Sequence, residues 1–311
     1  MVQPHSKPIS SLARYGRNLR KHADLYLLLL PALAALIIFK YVPMAGIQIA
    51  FRKYNIFAGM AASPWVGFDN FRRLFSSSEF LNVLSNTLII SAYKIAILFP
   101  MGVIIALLLN EIHHMTYKRV VQTVIYIPHF FSWVVVAGLF STILSSTGLM
   151  NKLLESLGAN RINFMVSPSW FRAILVFSAG WKECGWNAIV FIAAIAGIDQ
   201  QMYEAARIDG AGRVRQIISI TIPSIMPTVI LMLILRIGNL MTAGTQQVLV
   251  MYNPVVYDVA DVLGTYIYRM GIGKMEYSFS TAVGLFESVV GFGLVVMCNS
   301  LSRKFVGSSI W

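Results

Sequence analysis

Five ionisable residues stand inside long apolar runs: Lys94, Lys182, Glu183, Arg236 and Glu287. Charge at membrane depth is costly and marks either a transport path, a proton relay or a pair between helices. Three of the five are basic and two acidic, so mutual pairing is one expectation and contact with cargo the other. The run around Glu183 is the richest. At helical spacing Glu183, Trp186, Asn187 and Val190 form one stripe, with Trp181 and Lys182 beside it. Indole next to carboxylate and amide suits a carbohydrate, whose ring faces stack on the indole and whose hydroxyls take hydrogen bonds. Further along, Asn239, Thr242, Gln246 and Gln247 add neutral polar groups at comparable depth. Apart from Val190 these positions, nine in all, are the candidate substrate path, although polar residues in such helices also bond to one another. Lys182 and Arg236 point only weakly to an acidic sugar, because Glu183 and Glu287 are available to neutralise them.

Other chemistries find no footing in the sequence. A phosphate-binding loop needs Gly-x-x-x-x-Gly-Lys-Ser/Thr. The nearest fragment, Gly271-Ile272-Gly273-Lys274-Met275, has Tyr268 in place of the first glycine and Met275 in place of Ser/Thr. No nucleotide is therefore expected on this chain. His113 and His114 are adjacent, so on a helix they point about 100° apart, and no third ligand accompanies them; no metal is expected. His129 follows Pro128, which predicts a kinked helix with a hydrogen-bonded imidazole. Cys184 and Cys298 read as small apolar residues. No catalytic residues emerge.

The elements that must hold these groups follow from composition. Of 311 residues 57% are hydrophobic and 12% charged, against about a quarter charged in a soluble domain, and the mean hydropathy is +0.68. The net charge of +12 would point to nucleic acid in a soluble protein; in so apolar a chain it points to basic loops held against anionic lipid. Six stretches reach the length of about 20 residues that a spanning helix needs: residues 25–50, 87–109, 120–144, 170–197, 225–250 and 278–301. Lys7, Arg14, Arg17, Arg20 and Lys21 precede the first of them and orient both termini to the cytoplasm. Ala32-Leu33-Ala34 resembles a cleavage site, but the apolar run continues to Ala50, longer than a signal's 7–15 residues, so an uncleaved span is expected. Between residues 63 and 73, Phe68, Phe71 and Leu74 recur beside charges as in a short interfacial helix. No repeat of 20–50 residues is evident.

The segment joining the fourth and fifth stretches is not a plain linker. From Asp199 to Gly210 it predicts a helix of about ten residues, with Asp199 as N-cap and Gly210 as the stop. Met202, Ala205, Ala206 and Asp209 share one face, kept flat by the alanines. Gly210 and Gly212 allow a sharp turn, and Pro223 and Pro227 mark entry to the next helix.

Glu204-Ala205-Ala206, Gly210 after three residues, and then Ile220-Thr221-Ile222-Pro223 resemble the EAA motif of bacterial ABC-importer permeases, departing only in Ile222 where leucine is usual. Further segments are similar to the LplB-like branch of the oligosaccharide (MalF-like) permeases: residues 39–44, 63–67, 107–111, 126–130 and 180–183, Gly238-Asn239-Leu240, Asn253-Pro254 and Trp311. The resemblance covers nearly the whole chain after Leu25. It implies an all-α polytopic fold, the type I importer permease, with six transmembrane helices and a cytoplasmic coupling helix. The expected organisation is a cytoplasmic basic N-terminus over 1–24, a permease domain over 25–301 with its coupling loop at about 198–224, and a cytoplasmic C-terminus over 302–311. The implied partners are a second homologous permease, two copies of a cytoplasmic ATPase that carry ATP and Mg, and an extracytoplasmic solute-binding protein, all at the bacterial cytoplasmic membrane. In that resemblance Glu204 is the charged anchor in a groove of the ATPase, Ala205 and Ala206 pack closely, Asp209 completes the face, and Gly210 and Gly212 make the bend. The cargo implied is an oligosaccharide. The alternative is an ion-coupled carrier using Glu183 or Glu287, but two inverted halves are not evident.

Overall fold

The computed structural model describes residues 22–306; the basic cluster of the N-terminus and Trp311 lie outside them. Among the described residues the chain is helical, with one isolated β-bridge between Arg52 and Trp65. Helix α1 runs over Ala23–Phe51, and none of its first 14 residues is buried. The short α2 (Asp69–Ser76) matches the predicted interfacial helix and buries Leu74. Helix α3 (Ser78–Asn110) is capped by the Ser77 hydroxyl, which accepts from the Phe80 amide.

The third stretch is not one straight span. Helix α4 covers Met115–Phe130 and α5 covers Trp133–Ile143, and the two are bent by 101°. Pro128 breaks the amide ladder of the first, and the Ser132 hydroxyl accepts from Val135 N–H to start the second. Then come α6 (Leu149–Ser156) and α7 (Pro168–Ala196). Helix α7 has 29 residues, about 43 Å at 1.5 Å each, which exceeds the bilayer's apolar thickness. Its most extensive packing is on α3.

Helix α8 (Gln200–Ile208) is followed by α9 (Arg213–Gly238). A wide-turn segment, Ile217–Thr221, interrupts α9 just ahead of Pro223, where the absent proline N–H loosens the ladder. The fifth stretch was expected to run to Val250, but α9 ends at Gly238. A tight turn at Leu240–Thr242 follows, then Ala243 and Gly244 in left-handed conformation (φ +46° and +75°), and a separate helix α10 (Thr245–Met251). The sequence chemistry for this break is local. Thr242 Oγ1 donates to Asn239 C=O (2.8 Å) and Asn239 Nδ2 to Leu235 C=O (3.2 Å), bonds that compete with helix continuation. Helix α11 (Leu263–Tyr268) and the long α12 (Tyr277–Val306) complete the chain.

Among the described residues four helices (α1, α3, α9 and α12) are long and apolar enough to cross a membrane, and the bent pair α4–α5 adds a fifth. Of four apolar clusters among the described residues, two bear on the site. One joins α7 to α5 and α10 through Phe140, Phe171, Leu175 and Val248. The other joins α3, α7 and α9 through Ala106, Phe191 and Ile225 and reaches Tyr203 on α8.

Candidate functional site: an exposed coupling helix and a polar cleft

Helix α8 forms as the sequence predicts. The Asp199 carboxylate accepts from Gln201 N–H at 2.9 Å, and Gly210 adopts φ +75°, a left-handed stop that a Cβ would disfavour. The Ala211 N–H then reaches back to Ala206 C=O at 2.8 Å. The predicted face is turned outward: Met202, Ala205 and Asp209 are exposed and Ala206 is half-buried. Glu204 and Gly212 are exposed as well. Apolar side chains beside them point to solvent, with Ile208 87% and Val214 70% exposed. A nine-residue helix with a charged, small and apolar outer surface is what a protein groove would take.

What fixes α8 to the bundle was not legible. Tyr203, one residue before Glu204, is buried among Ile195, Ile198 and Ile225, and its hydroxyl lies 2.8 Å from Thr221 Oγ1 on α9. Arg213 leads back to Glu111 at the end of α3 at 3.8 Å. Tyr203→Phe should therefore lower stability by about 1 kcal/mol, the net worth of one hydrogen bond, without altering the outer surface. A thermal-melting comparison, with recovery of partners as control, checks this.

At the level of the α9 break lies a polar cleft. One lobe, of about 190 Å³, is lined by Ser91, Lys94, Trp133, Glu183, Arg236, Asn239, Thr242 and Gln247. A second lobe, of about 180 Å³, adjoins it through Arg236 and Asn239 and is lined by Phe99, Asn187, Phe191, Met232 and Leu235. Of the nine path candidates, Glu183, Asn187, Asn239, Thr242 and Gln247 line this cleft. The other four lie elsewhere. Trp181 packs against Phe131 and Phe140 and lines an apolar groove between α3 and α7. Lys182 is 5% exposed, donates to the backbone C=O of His129, and has its ammonium 5.5 Å from the Trp133 ring. Trp186 stacks on His129 with centroids 4.2 Å apart, and Gln246 is exposed on α10. The expected kink near His129 is present, but the hydrogen-bonded imidazole is not: its Nδ1 is buried without a partner and the ring is held by stacking.

The five intramembrane charges do not pair with one another. No ion pair joins any two of them among the described residues. Lys94 instead donates to Ala243 C=O (2.8 Å) and Gln247 Oε1 (2.6 Å). Gln247 is wholly buried and donates in turn to Leu175 C=O (2.7 Å) and Ser178 Oγ (2.8 Å). The Ser91 hydroxyl donates to Leu240 C=O. Lys94 and Gln247 thus clamp the α9–α10 break onto α3 and α7, and carbonyls rather than carboxylates satisfy the cation. Glu183 and Arg236 are left facing the cleft.

Comparison with known proteins gives this arrangement a family. Residues 99–306 match the family described as the binding-protein-dependent transport system inner membrane component. Over 288 residues the chain is 46% identical to protein LplB of Bacillus subtilis (strain 168), covering 92% of this chain and 91% of that one. It is 43% identical over 288 residues to the polygalacturonan/rhamnogalacturonan transport system permease protein YteP of the same organism, covering 92% and 90%. Among solved structures, a chain of a bacterial ABC transporter involved in the import of the acidic polysaccharide alginate superposes with a TM-score of 0.88 at 40% identity, covering 94% of this chain and 99% of that one. Through this match over two thirds of its length, and with the all-α fold of an ABC-importer permease, the chain belongs to the binding-protein-dependent transport system inner membrane component family.

Proposed function

We propose that this chain is one permease subunit of an ATP-driven importer that passes an oligosaccharide, acidic in character, from a solute-binding protein into a bacterial cytoplasm by alternating access. The observation that carries the reading is the outward face of α8. Glu204, Ala205, Ala206 and Asp209, closed by Gly210 and Gly212, form a docking helix anchored from behind by Tyr203. Its partner is an ATPase present in two copies, which carries ATP and Mg; a second homologous permease completes the membrane unit. The relatives' cargoes support the sugar: polygalacturonan and rhamnogalacturonan for YteP and alginate for the transporter of known structure, which also forms a complex with a pentasaccharide-loaded periplasmic protein.

In this reading the chain crosses the membrane six times, through α1, α3, the bent α4–α5, α7, α9 and α12, with both termini cytoplasmic. Residues 25–301 are the permease domain, with 1–24 and 302–311 as cytoplasmic ends. Cargo follows Glu183, Asn187, Asn239 and Thr242 along the cleft, with Trp186 and Gln246 towards its surroundings; Trp181, Lys182 and Gln247 support the wall. Loaded binding protein and ATP move the machine only if both favour the same arrangement of the spans. An ion-coupled carrier would have no use for an exposed docking helix.

The test is affinity purification from the native membrane of wild type beside Glu204→Lys. Wild type should retain an ATPase and a second permease. The variant should keep the second permease and lose the ATPase at least about tenfold, as expected for a central contact in an interface. Transport by the purified chain alone on a proton gradient would sink the reading.

A further inference from the structure

We infer that Arg236 is the residue that selects acidic sugars, by taking a uronate carboxylate in the cleft; this rests on the importer reading above. The inference starts from which charges are already spent. Lys94 gives its donors to Ala243 C=O and Gln247, and Lys182 gives its own to His129 C=O away from the cleft. Arg236 makes no hydrogen bond and no ion pair among the described side chains, although it lines both lobes. Beside it in the second lobe stand Phe191, Met232 and Leu235 with Asn187 and Asn239. The Arg236 side chain is half-buried, so an anion that enters the cleft meets a guanidinium with no partner of its own.

Two further groups are uncommitted in the same space. Asn187, whose Nδ2 donor is buried without a partner, lines the same lobe as Arg236. Glu183 lines the other lobe and forms no ion pair among the described residues. Arg236 and Glu183 share the first lobe and form no ion pair with each other, so both stay available to a ligand. A hexuronate ring supplies what each lacks: a carboxylate for the planar fork of arginine, a hydroxyl for Glu183 to accept from, and a ring or hydroxyl oxygen for Asn187 Nδ2. A neutral hexose would leave the guanidinium desolvated and unmatched, and sites built around a polar group reject ligands that lack its partner.

The experiment uses the assembled transporter in proteoliposomes, with ATP on the ATPase side and saturating binding protein loaded with labelled trigalacturonate. Uptake per ATP hydrolysed is measured for wild type, Arg236→Gln and Arg236→Lys. The expected result for Arg236→Gln is ATP hydrolysis still stimulated by loaded binding protein, with uptake per ATP reduced at least about tenfold, the worth of one charge-assisted hydrogen bond. Arg236→Lys, which keeps the charge and loses the fork, should recover part of the uptake, above Arg236→Gln and below wild type. Full uptake per ATP in Arg236→Gln overturns the inference and leaves the importer intact. So does a lysine variant no better than the glutamine variant, or hydrolysis and uptake falling together in both, which is the mark of a structural role. Should Arg236→Gln fail to assemble, the wild-type transporter is given carboxyl-reduced trigalacturonate at concentrations that saturate the binding protein. Poor uptake per ATP of this neutral trimer supports selection by charge, and uptake equal to the acidic trimer overturns it. ATP-independent uptake by wild type would instead bring down the importer reading itself.

Discussion

Lys94→Met should lower the stability of the permease by about 2–4 kcal/mol and abolish most uptake. The figure follows from what the ammonium leaves behind. Ala243 C=O and Gln247 Oε1 both accept from it, and each buried acceptor left without a donor costs about 1–3 kcal/mol, offset in part because a desolvated charge is also removed. Ala243 sits in a left-handed conformation (φ +46°) that carries intrinsic strain for a residue with a Cβ. Loss of the bond therefore frees the turn as well as orphaning the carbonyl. The α9–α10 break forms one wall of the cleft, so disorder there should cost transport more than ATPase recovery. Thermal melting of the solubilised assembly beside vesicle uptake measures both. The sharper check is a cycle with Gln247→Leu: removing both partners leaves no orphan oxygen between them, so the double variant should be less destabilised than the sum of the singles. Strict additivity would mean that Lys94 does not act through Gln247.

Much of this architecture was legible in the residues, because the bilayer imposes a length and a polarity that leave few solutions. Helix α8 was readable to its ends, since Asp199 and Gly210 perform local tasks that a single sequence displays. The bend between α4 and α5 had its two signs, Pro128 and Ser132, but an apolar run on either side hid the break. The interruption after Gly238 was harder still. Leu240, Met241 and Ala243 look like helix; the local bonds of Asn239 and Thr242 compete with helix continuation, and bonds to distant elements, from Ser91 and Lys94 on α3, then hold the break in place. Trp181 shows the same limit from the other side. Its spacing places it near Glu183, yet 100° of helical rotation per residue turns it to apolar surroundings, against Phe140. Which polar residues of α7 face cargo and which face a neighbour depends on the rotation of that helix, and packing against α3 and α5 sets the rotation. Tyr203 was missed for a simpler reason: an aromatic on a short polar helix gives no period to read.

Arg269→Leu should lower stability by about 3–5 kcal/mol, at the end of α3 away from α8. Arg269 Nη2 donates to Asp261 Oδ2, and Arg269 Nη1 lies 2.9 Å from Glu79 Oε1 near the start of α3. Its guanidinium carbon is 5.2 Å from the ring centres of both Tyr257 and Tyr266. One side chain thus ties α3, the segment before α11 and α11 itself. The Asp261 side chain is 2% exposed, and without the cation its remaining partner is Thr265 Oγ1, which donates at 2.7 Å. Removing one member of a buried pair costs about 3–5 kcal/mol because the other stays charged and dry, whereas the more exposed Glu79 adds little. Adding Asp261→Asn to Arg269→Leu should therefore restore more than half of the loss: the amide oxygen still accepts from Thr265, and no buried charge remains. Melting of the two variants side by side decides it. A double variant that melts below Arg269→Leu would show that packing of the guanidinium on the two tyrosines, not the stranded carboxylate, carries the energy. Either way, ATPase recovery should stay at the wild-type level in the folded fraction. Glu79 and Asn110 stand at opposite ends of the 33-residue α3, roughly 48 Å at 1.5 Å per residue, and α8 packs at the far one.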